Sequence, residues 1–204
     1  TAIIGPNGSG KTTFINCICG IYVPENGKIY FKNNCLVGKK SHQISRLGIG
    51  RTFQVPRIFK RISVIDNILS PVLESKISLT ELKLKALELL DTVGMKNLAQ
   101  HLGGDLSGGQ QKLIELLRVW MADSDLILLD EPFAGVHPEL KSLFYSEIRR
   151  LQNNGKTFVL ISHDMKSVYS LSDEIYVFDL GKIIAKGQEE SIKTDERVIV
   201  EYFG

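Results

Sequence analysis

Residues 5 to 12 read GPNGSGKT, a pattern of spaced glycines closed by a lysine and a hydroxyl residue. Such a loop can cradle phosphate, because glycine lets successive backbone N–H groups turn inward while the following helix offers its positive end. Gly5, Pro6, Asn7, Gly8, Ser9, Gly10, Lys11, Thr12 and Thr13 are the candidate phosphate-binding residues. Lys11 would reach the β and γ oxygens, and the Thr12 hydroxyl would complete a Mg²⁺ shell. An acidic site follows at LILLDEP, residues 126 to 132, where Asp130 and Glu131 end an apolar run. Asp130 could hold Mg²⁺ and Glu131 could polarise a water that attacks the γ-phosphate. In DLSGGQQ, Leu106, Ser107, Gly108, Gly109 and Gln110 open an apolar helix and form a second anion cradle of hydroxyl, backbone N–H groups and helix dipole. One nucleotide does not need two cradles, so the second is expected to serve a nucleotide held by another copy. Gln54 in RTFQVP and His163 in LISHD stand at element boundaries. Their order with Lys11, Ser107, Asp130 and Glu131 marks both as candidate sensors of the γ-phosphate, with Gln54 also a candidate Mg²⁺ ligand.

These residues need rigid elements to place them. The runs TAIIG, GKIYF, LILLD, TFVLIS, EIYVF and KIIAKG are short, apolar and rich in Ile, Val and Phe, and helical stretches separate several of them. That alternation predicts an α/β fold with a largely parallel sheet, and the phosphate loop set between a strand and a helix makes it a P-loop NTPase core. The stretch EIYVFDLGKIIAKG reads instead as a hairpin turning near Asp179 to Gly181. Between Pro56 and Leu102 no strand is expected. Leu79 to Met95 places Leu82, Ala86, Leu89, Leu90 and Val93 at helical spacing, with Ser78 and Glu81 as a capping box. The expected organisation is a nucleotide-binding core over 1–55 and 103–204, split in sequence by a helical subdomain over 56–102.

Composition narrows the partners. The 204 residues are 43% hydrophobic, enough for one sizeable core, and the formal net charge is only +2. A near-neutral chain is not captured by bulk electrostatics, so no nucleic acid is expected as a partner. Cys17, Cys19 and Cys35 form no C-x-x-C pair and read as reduced thiols of a cytosolic protein. With no run long enough to span a bilayer, any membrane work requires another chain.

The order GPNGSGKT, TFQ, LSGGQ, LILLDEP and LISHD resembles the ATP-binding cassette (ABC) family, and the resemblance covers essentially the whole chain. Within that family RTFQVPRIFKRISVIDNIL and the ending RVIVEYFG resemble the ATPase subunits of branched-chain amino-acid importers. The resemblance implies ATP and Mg²⁺ as ligands and head-to-tail pairing, either as a homodimer or with a paralogous ATPase subunit. It also implies integral membrane permease subunits docked near Arg57 to Ile62, and a cytoplasmic location on the inner face of the cell membrane. Two departures stand out. His137 in FAGVHPEL occupies a loop position where many members carry Asp, and family members have strands before the phosphate loop that bring an aromatic to the adenine. Since nothing precedes Thr1, the expectation is truncated N-terminal strands and weakened ATP binding; were ATP bound as tightly without them, Tyr22 would be the first candidate platform. Two other readings stay open: a soluble cassette that clamps nucleic acid or ribosomes, although coiled-coil insertions and basic tails are absent, and a nucleotide-binding fragment that no longer turns over.

Overall fold

In the computed structural model, residues 1–198 are described. The strands are β1 (Ala2–Ile4), β2 (Tyr30–Phe31), β3 (Asn34–Cys35), β4 (Ile49–Arg51), β5 (Leu126–Asp130), β6 (Thr157–Ile161), β7 (Ile175–Asp179) and β8 (Lys182–Gly187). The α-helices are α1 (Lys11–Ile18), α2 (Ser41–Arg46), α3 (Val64–Leu69), α4 (Leu79–Thr92), α5 (Gly108–Met121), α6 (Pro138–Asn153), α7 (Met165–Leu171), α8 (Glu189–Thr194) and α9 (Glu196–Val198). They divide into two units. The first takes Thr1–Arg51, Asp125–Glu131 and residues from Gly155 onward; the second takes Thr52–Ser124 and Pro132–Asn154.

The first unit holds a six-stranded sheet in the order β4-β5-β6-β1-β7-β8. Every neighbouring pair is parallel except β7 and β8, which form the expected hairpin. Its two turn residues, Leu180 and Gly181, both have positive φ (44° and 78°), as a tight turn matched to strand twist requires. The sheet is parallel because β1, β5 and β6 are continuous apolar runs buried throughout most of their length, which only a sheet covered on both faces can satisfy. One cluster of buried side chains joins Ile3, Leu128, Ile161 and Phe178 from the sheet to Ile15 and Ile18 of α1 and Ile44 of α2. Fully burying each such side chain is worth about 1.5–3 kcal/mol.

Two strand expectations need correcting. GKIYF contributes only Tyr30–Phe31, which pairs with Asn34–Cys35 in a separate two-stranded hairpin and not with the main sheet. Lys32 and Asn33 at positive φ turn the chain back at once. The strand β4 was not foreseen. In its sequence, Ile-Gly-Arg, only Ile49 favours a strand, and the pairing of Ile49, Gly50 and Arg51 with Leu126, Ile127 and Leu128 makes it one.

The second unit is helical, and 56–102 contains no strand. Ser63, Ser78 and Ser107 each accept a hydrogen bond from the N–H three residues on, and so start α3, α4 and α5. At α4 the box is half formed, because the Ser78 hydroxyl donates to the Glu81 carboxylate. Leu82, Ala86, Leu90 and Val93 are buried as the spacing predicted, while Leu89 is half-buried. Trp120 and Phe144 pack with ring centroids 5.0 Å apart, joining α5 to α6. The ending RVIVEYFG lies largely outside the described residues, since only Arg197 and Val198 of it are described.

Candidate active site

In the sheet order β5-β6-β1, three parallel strands stand side by side. Their C-terminal ends therefore open onto one edge, the place where ligands meet open α/β sheets. From β1 the chain passes into the loop Gly5–Gly10 and then α1; from β5 it ends on Asp130 and Glu131; from β6 it leaves through Ser162 to His163.

The loop's shape depends on glycine at two positions. Gly5 has φ 144°, and a Cβ there would lie 2.1 Å from the Phe178 carbonyl oxygen. Gly10 has φ 100° and caps α1. The hairpin turn braces the loop from outside, since the Gly181 N–H donates to the Ser9 carbonyl at 3.0 Å. Lys11 is 7% exposed, and its Nζ donates to the Gly5 and Pro6 carbonyls (both 2.8 Å) and to Ser9 Oγ (3.3 Å). Burial pushes its ammonium below the usual lysine range, while the nearby Glu131 and Asp130 carboxylates pull it back. A cation held in a ring of oxygens, behind a loop of turned amides, can pass to the stronger acceptors of a polyphosphate. Thr12 and Thr13 are exposed in the first turn of α1.

Asp130 is buried, and its Oδ2 accepts from the Arg51 guanidinium at 3.3 Å. Arg51 also donates to Asn16 Oδ1 on α1 at 2.6 Å, so one buried side chain ties β4, β5 and α1 together. Glu131 has φ 48°, in the left-handed region that costs a residue with a side chain roughly 1–3 kcal/mol. Its N–H donates to the Ile161 carbonyl at 2.9 Å, and its Oε1 lies 3.4 Å from His163 Nε2. The first unit thus brings together Gly5–Thr13, Asp130, Glu131 and His163.

Gln54 and Leu106–Gln110 belong to the second unit. Gln54 is exposed in an irregular segment. Ser107 Oγ accepts from the Gln110 N–H (3.3 Å) while Gln110 Oε1 accepts from the Ser107 N–H (2.9 Å), a closed capping box at the start of α5. Leu106 is buried beneath it, and Ser107 and Gly108 are exposed. His137 stands at the N-cap of α6 with its side chain largely exposed.

Three polar residues were missed in the sequence. Arg51 reads as a surface cation until β4 pairs with β5. Glu115, on α5, is buried: its Oε2 accepts from the Phe53 N–H (3.1 Å) and its Oε1 from the Arg57 N–H (3.0 Å). Burial pushes its carboxyl above the usual glutamate range, and those two N–H groups oppose the shift. Asn67, on α3, is fully buried and accepts from the Phe59 N–H while donating to the Phe59 and Ser63 carbonyls. The only sequence signal for Glu115 and Asn67 is a polar residue on the apolar face of a helix.

Among the described residues no three His, Cys, Asp or Glu side chains gather into a metal cage. The available donors, the Thr12 hydroxyl and the Asp130 carboxylate, are hard oxygens. That set fits Mg²⁺ bound through one or two protein ligands with substrate phosphates completing the shell.

Comparison with known proteins agrees with this geometry. The ABC transporter family model matches residues 1–134, and an AAA domain model matches residues 104–168. The chain is 38% identical over its whole length to the probable branched-chain amino acid transport ATP-binding protein LivG of Archaeoglobus fulgidus, covering 84% of that protein. It is 36% identical, again over its whole length, to the high-affinity LivG of Escherichia coli K12, covering 86% of it. A crystal structure of a nucleotide-free ATP-binding cassette from an ABC transporter superposes with a TM-score of 0.84 at 35% identity, over all of this chain and 87% of that one. A dimeric cassette in a post-hydrolysis state with ADP and Pi superposes with a TM-score of 0.84 at 25% identity, over 92% of this chain and 84% of that one. Loop, acidic strand end, histidine, sheet order and relatives converge, and the chain belongs to the ABC transporter family as one of its ATP-hydrolysing cassettes.

Proposed function

We propose that this cassette powers the import of branched-chain amino acids, working as a head-to-tail pair beneath integral membrane permease subunits. The observation that carries the catalytic part is the meeting of Lys11, Asp130, Glu131 and His163 at the C-terminal ends of three adjacent parallel strands. The substrate class rests on the names of the LivG relatives. No helix of the described residues is long and apolar enough to cross a membrane, so the permease would supply the span from the inner face of the cell membrane.

In this reading the backbone of Gly5–Thr13 and the Lys11 ammonium bind the β- and γ-phosphates of ATP. Thr12, Asp130 and Gln54 would hold Mg²⁺, which neutralises charge developing on the phosphate oxygens. Glu131 accepts the proton of the attacking water, its carboxylate lying beside His163. His163, beside Glu131, holds the γ-phosphate. Leu106–Gln110 close on the nucleotide of the opposite copy, so that ATP joins the pair and its cleavage releases them. The exposed segment with Arg57, Lys60 and Ile62 offers the permease a mixed basic and apolar contact.

The test is Glu131→Gln. The amide can hold the water but cannot take its proton, so hydrolysis should slow by roughly 10² to 10⁴ with ATP affinity kept. The uncut nucleotide should then trap a dimer visible by size-exclusion chromatography with light scattering in ATP and Mg²⁺. A monomeric variant hydrolysing at the parent rate rules out both the base and the closing pair. For the partner, reversing the charges of Arg57 and Lys60 should weaken permease capture and spare the basal ATPase rate.

A further inference from the structure

The segment Thr52–Ile62 has no helix or strand to satisfy its backbone. The Lys60 and Ile62 carbonyls accept from the Gly104 and Gly103 N–H groups, while Phe53, Arg57 and Phe59 are held by side chains of the second unit. A single carboxylate, Glu115, takes the N–H groups of Phe53 and Arg57 and so brackets Gln54, Val55 and Pro56. One turn further along α5, Arg118 donates to the Arg57 carbonyl at 2.6 Å and lies 5.1 Å from the Phe59 ring. Asn67 closes the far end at Phe59. A buried carboxylate costs several kcal/mol in desolvation unless its oxygens are satisfied. Here both oxygens are acceptors and both meet an N–H. Glutamine offers only one such oxygen, and its NH₂ would confront the second donor.

Glu115 lies eight residues beyond Ser107 on the same helix, roughly 12 Å along its axis. We propose that Glu115 is a positioning residue that locks the Gln54 segment to the helix opened by Ser107, so that the group reading a copy's own nucleotide and the group closing on its partner's move as one piece. This rests on the roles given to Gln54 and Ser107 above. Apolar packing could bury the same helix face, but it could not fix the register of an irregular segment by two directed hydrogen bonds.

The experiment uses the full chain with Glu115→Gln. Amide hydrogen exchange should show protection at Phe53 and Arg57 reduced at least tenfold, with α4 unchanged. The kcat for ATP hydrolysis should fall about tenfold or more while KM for ATP stays within twofold, and the Glu131→Gln, Glu115→Gln double variant should no longer trap the dimer. Leu116→Ala, a destabilising change on the same helix, should leave kcat at the parent value below its melting transition. Unchanged protection at Phe53 and Arg57 overturns the clamp. Lost protection with normal kcat and normal dimer trapping overturns the coupling. Gln54→Ala run in parallel separates the two levels: if it leaves turnover untouched, the reading of Gln54 itself has failed. Should Glu115→Gln not fold, Arg118→Gln removes the donor to the Arg57 carbonyl and is expected to shift the same readouts in the same direction, by a smaller factor; no shift in either exchange or kcat overturns the proposal.

Discussion

Glu131 carries two burdens at one position, a backbone at φ 48° and the carboxylate proposed as the general base. Left-handed backbone penalises a Cβ, so removing the side chain in two ways should give opposite results on stability. Glu131→Gly should melt above Glu131→Ala, the gap corresponding to about 1 kcal/mol, the reverse of the usual order of these two residues in regular structure. Differential scanning calorimetry on the nucleotide-free protein checks it, and equal melting would mean the strain is relieved elsewhere. Lys11 gives the second residue-scale prediction. Its ammonium sits in a nest of three oxygens, and ATP at 100 times its dissociation constant should stabilise the parent by about 2.7 kcal/mol. Lys11→Ala should lose nearly all of that ATP-induced shift in a thermal melt, because the charge placed against the phosphates is gone. At this scale the sequence is informative where a residue's type alone states its chemistry, as at Lys11, Asp130 and Glu131. Arg51, Asn67 and Glu115 stayed hidden because their meaning comes from partners 79, 8 and 58 residues away.

At the scale of elements, α5 begins with a serine that can be read as a helix cap or as a phosphate ligand. The closed box with Gln110 makes it a cap. Substitution separates the two functions. Aspartate caps as well as serine, so Ser107→Asp should melt like the parent, yet its charge would oppose a phosphate and abolish ATP-driven pairing. Ser107→Ala should do the opposite, losing about 1 kcal/mol of stability while keeping much of the turnover. If Ser107→Asp pairs normally in ATP, the cradle does not meet phosphate. Elements whose pattern is local were legible: β1, β5, β6, the β7–β8 hairpin and α4 all announce themselves by apolar runs, turn residues or helical spacing. The strand β4 was not, because Gly50 and Arg51 gain strand geometry only from β5 alongside. The hairpin's purpose was equally invisible, since its brace on Ser9 joins residues 172 positions apart through the backbone of Gly181.

For the molecule as a whole, the chain passes between its two units at Arg51–Thr52, Ser124–Asp125, Glu131–Pro132 and Asn154–Gly155. Neither unit is a continuous piece of sequence, and the first holds β1 between strands that come far later in the chain. β1 is flanked by β6 and β7, with Ala2 paired to Leu160 and Ile175, and the Thr1 amine donates to the Phe158 carbonyl 157 residues away. A ribosome making this chain therefore releases an apolar strand whose neighbours do not exist until residues 157–161 and 175–179 have been made. Pairing over such separations is slow and leaves the waiting strand open to aggregation. Arrested nascent chains ending at residue 154 should be protease-sensitive and bound by holding chaperones, whereas chains extended past Gly187 should acquire protection at residues 2–4 and at 126–130 in the same step. Birth of the phosphate cradle would then be an all-or-none event once β6 and β7 are made, which would keep half-made copies from consuming ATP.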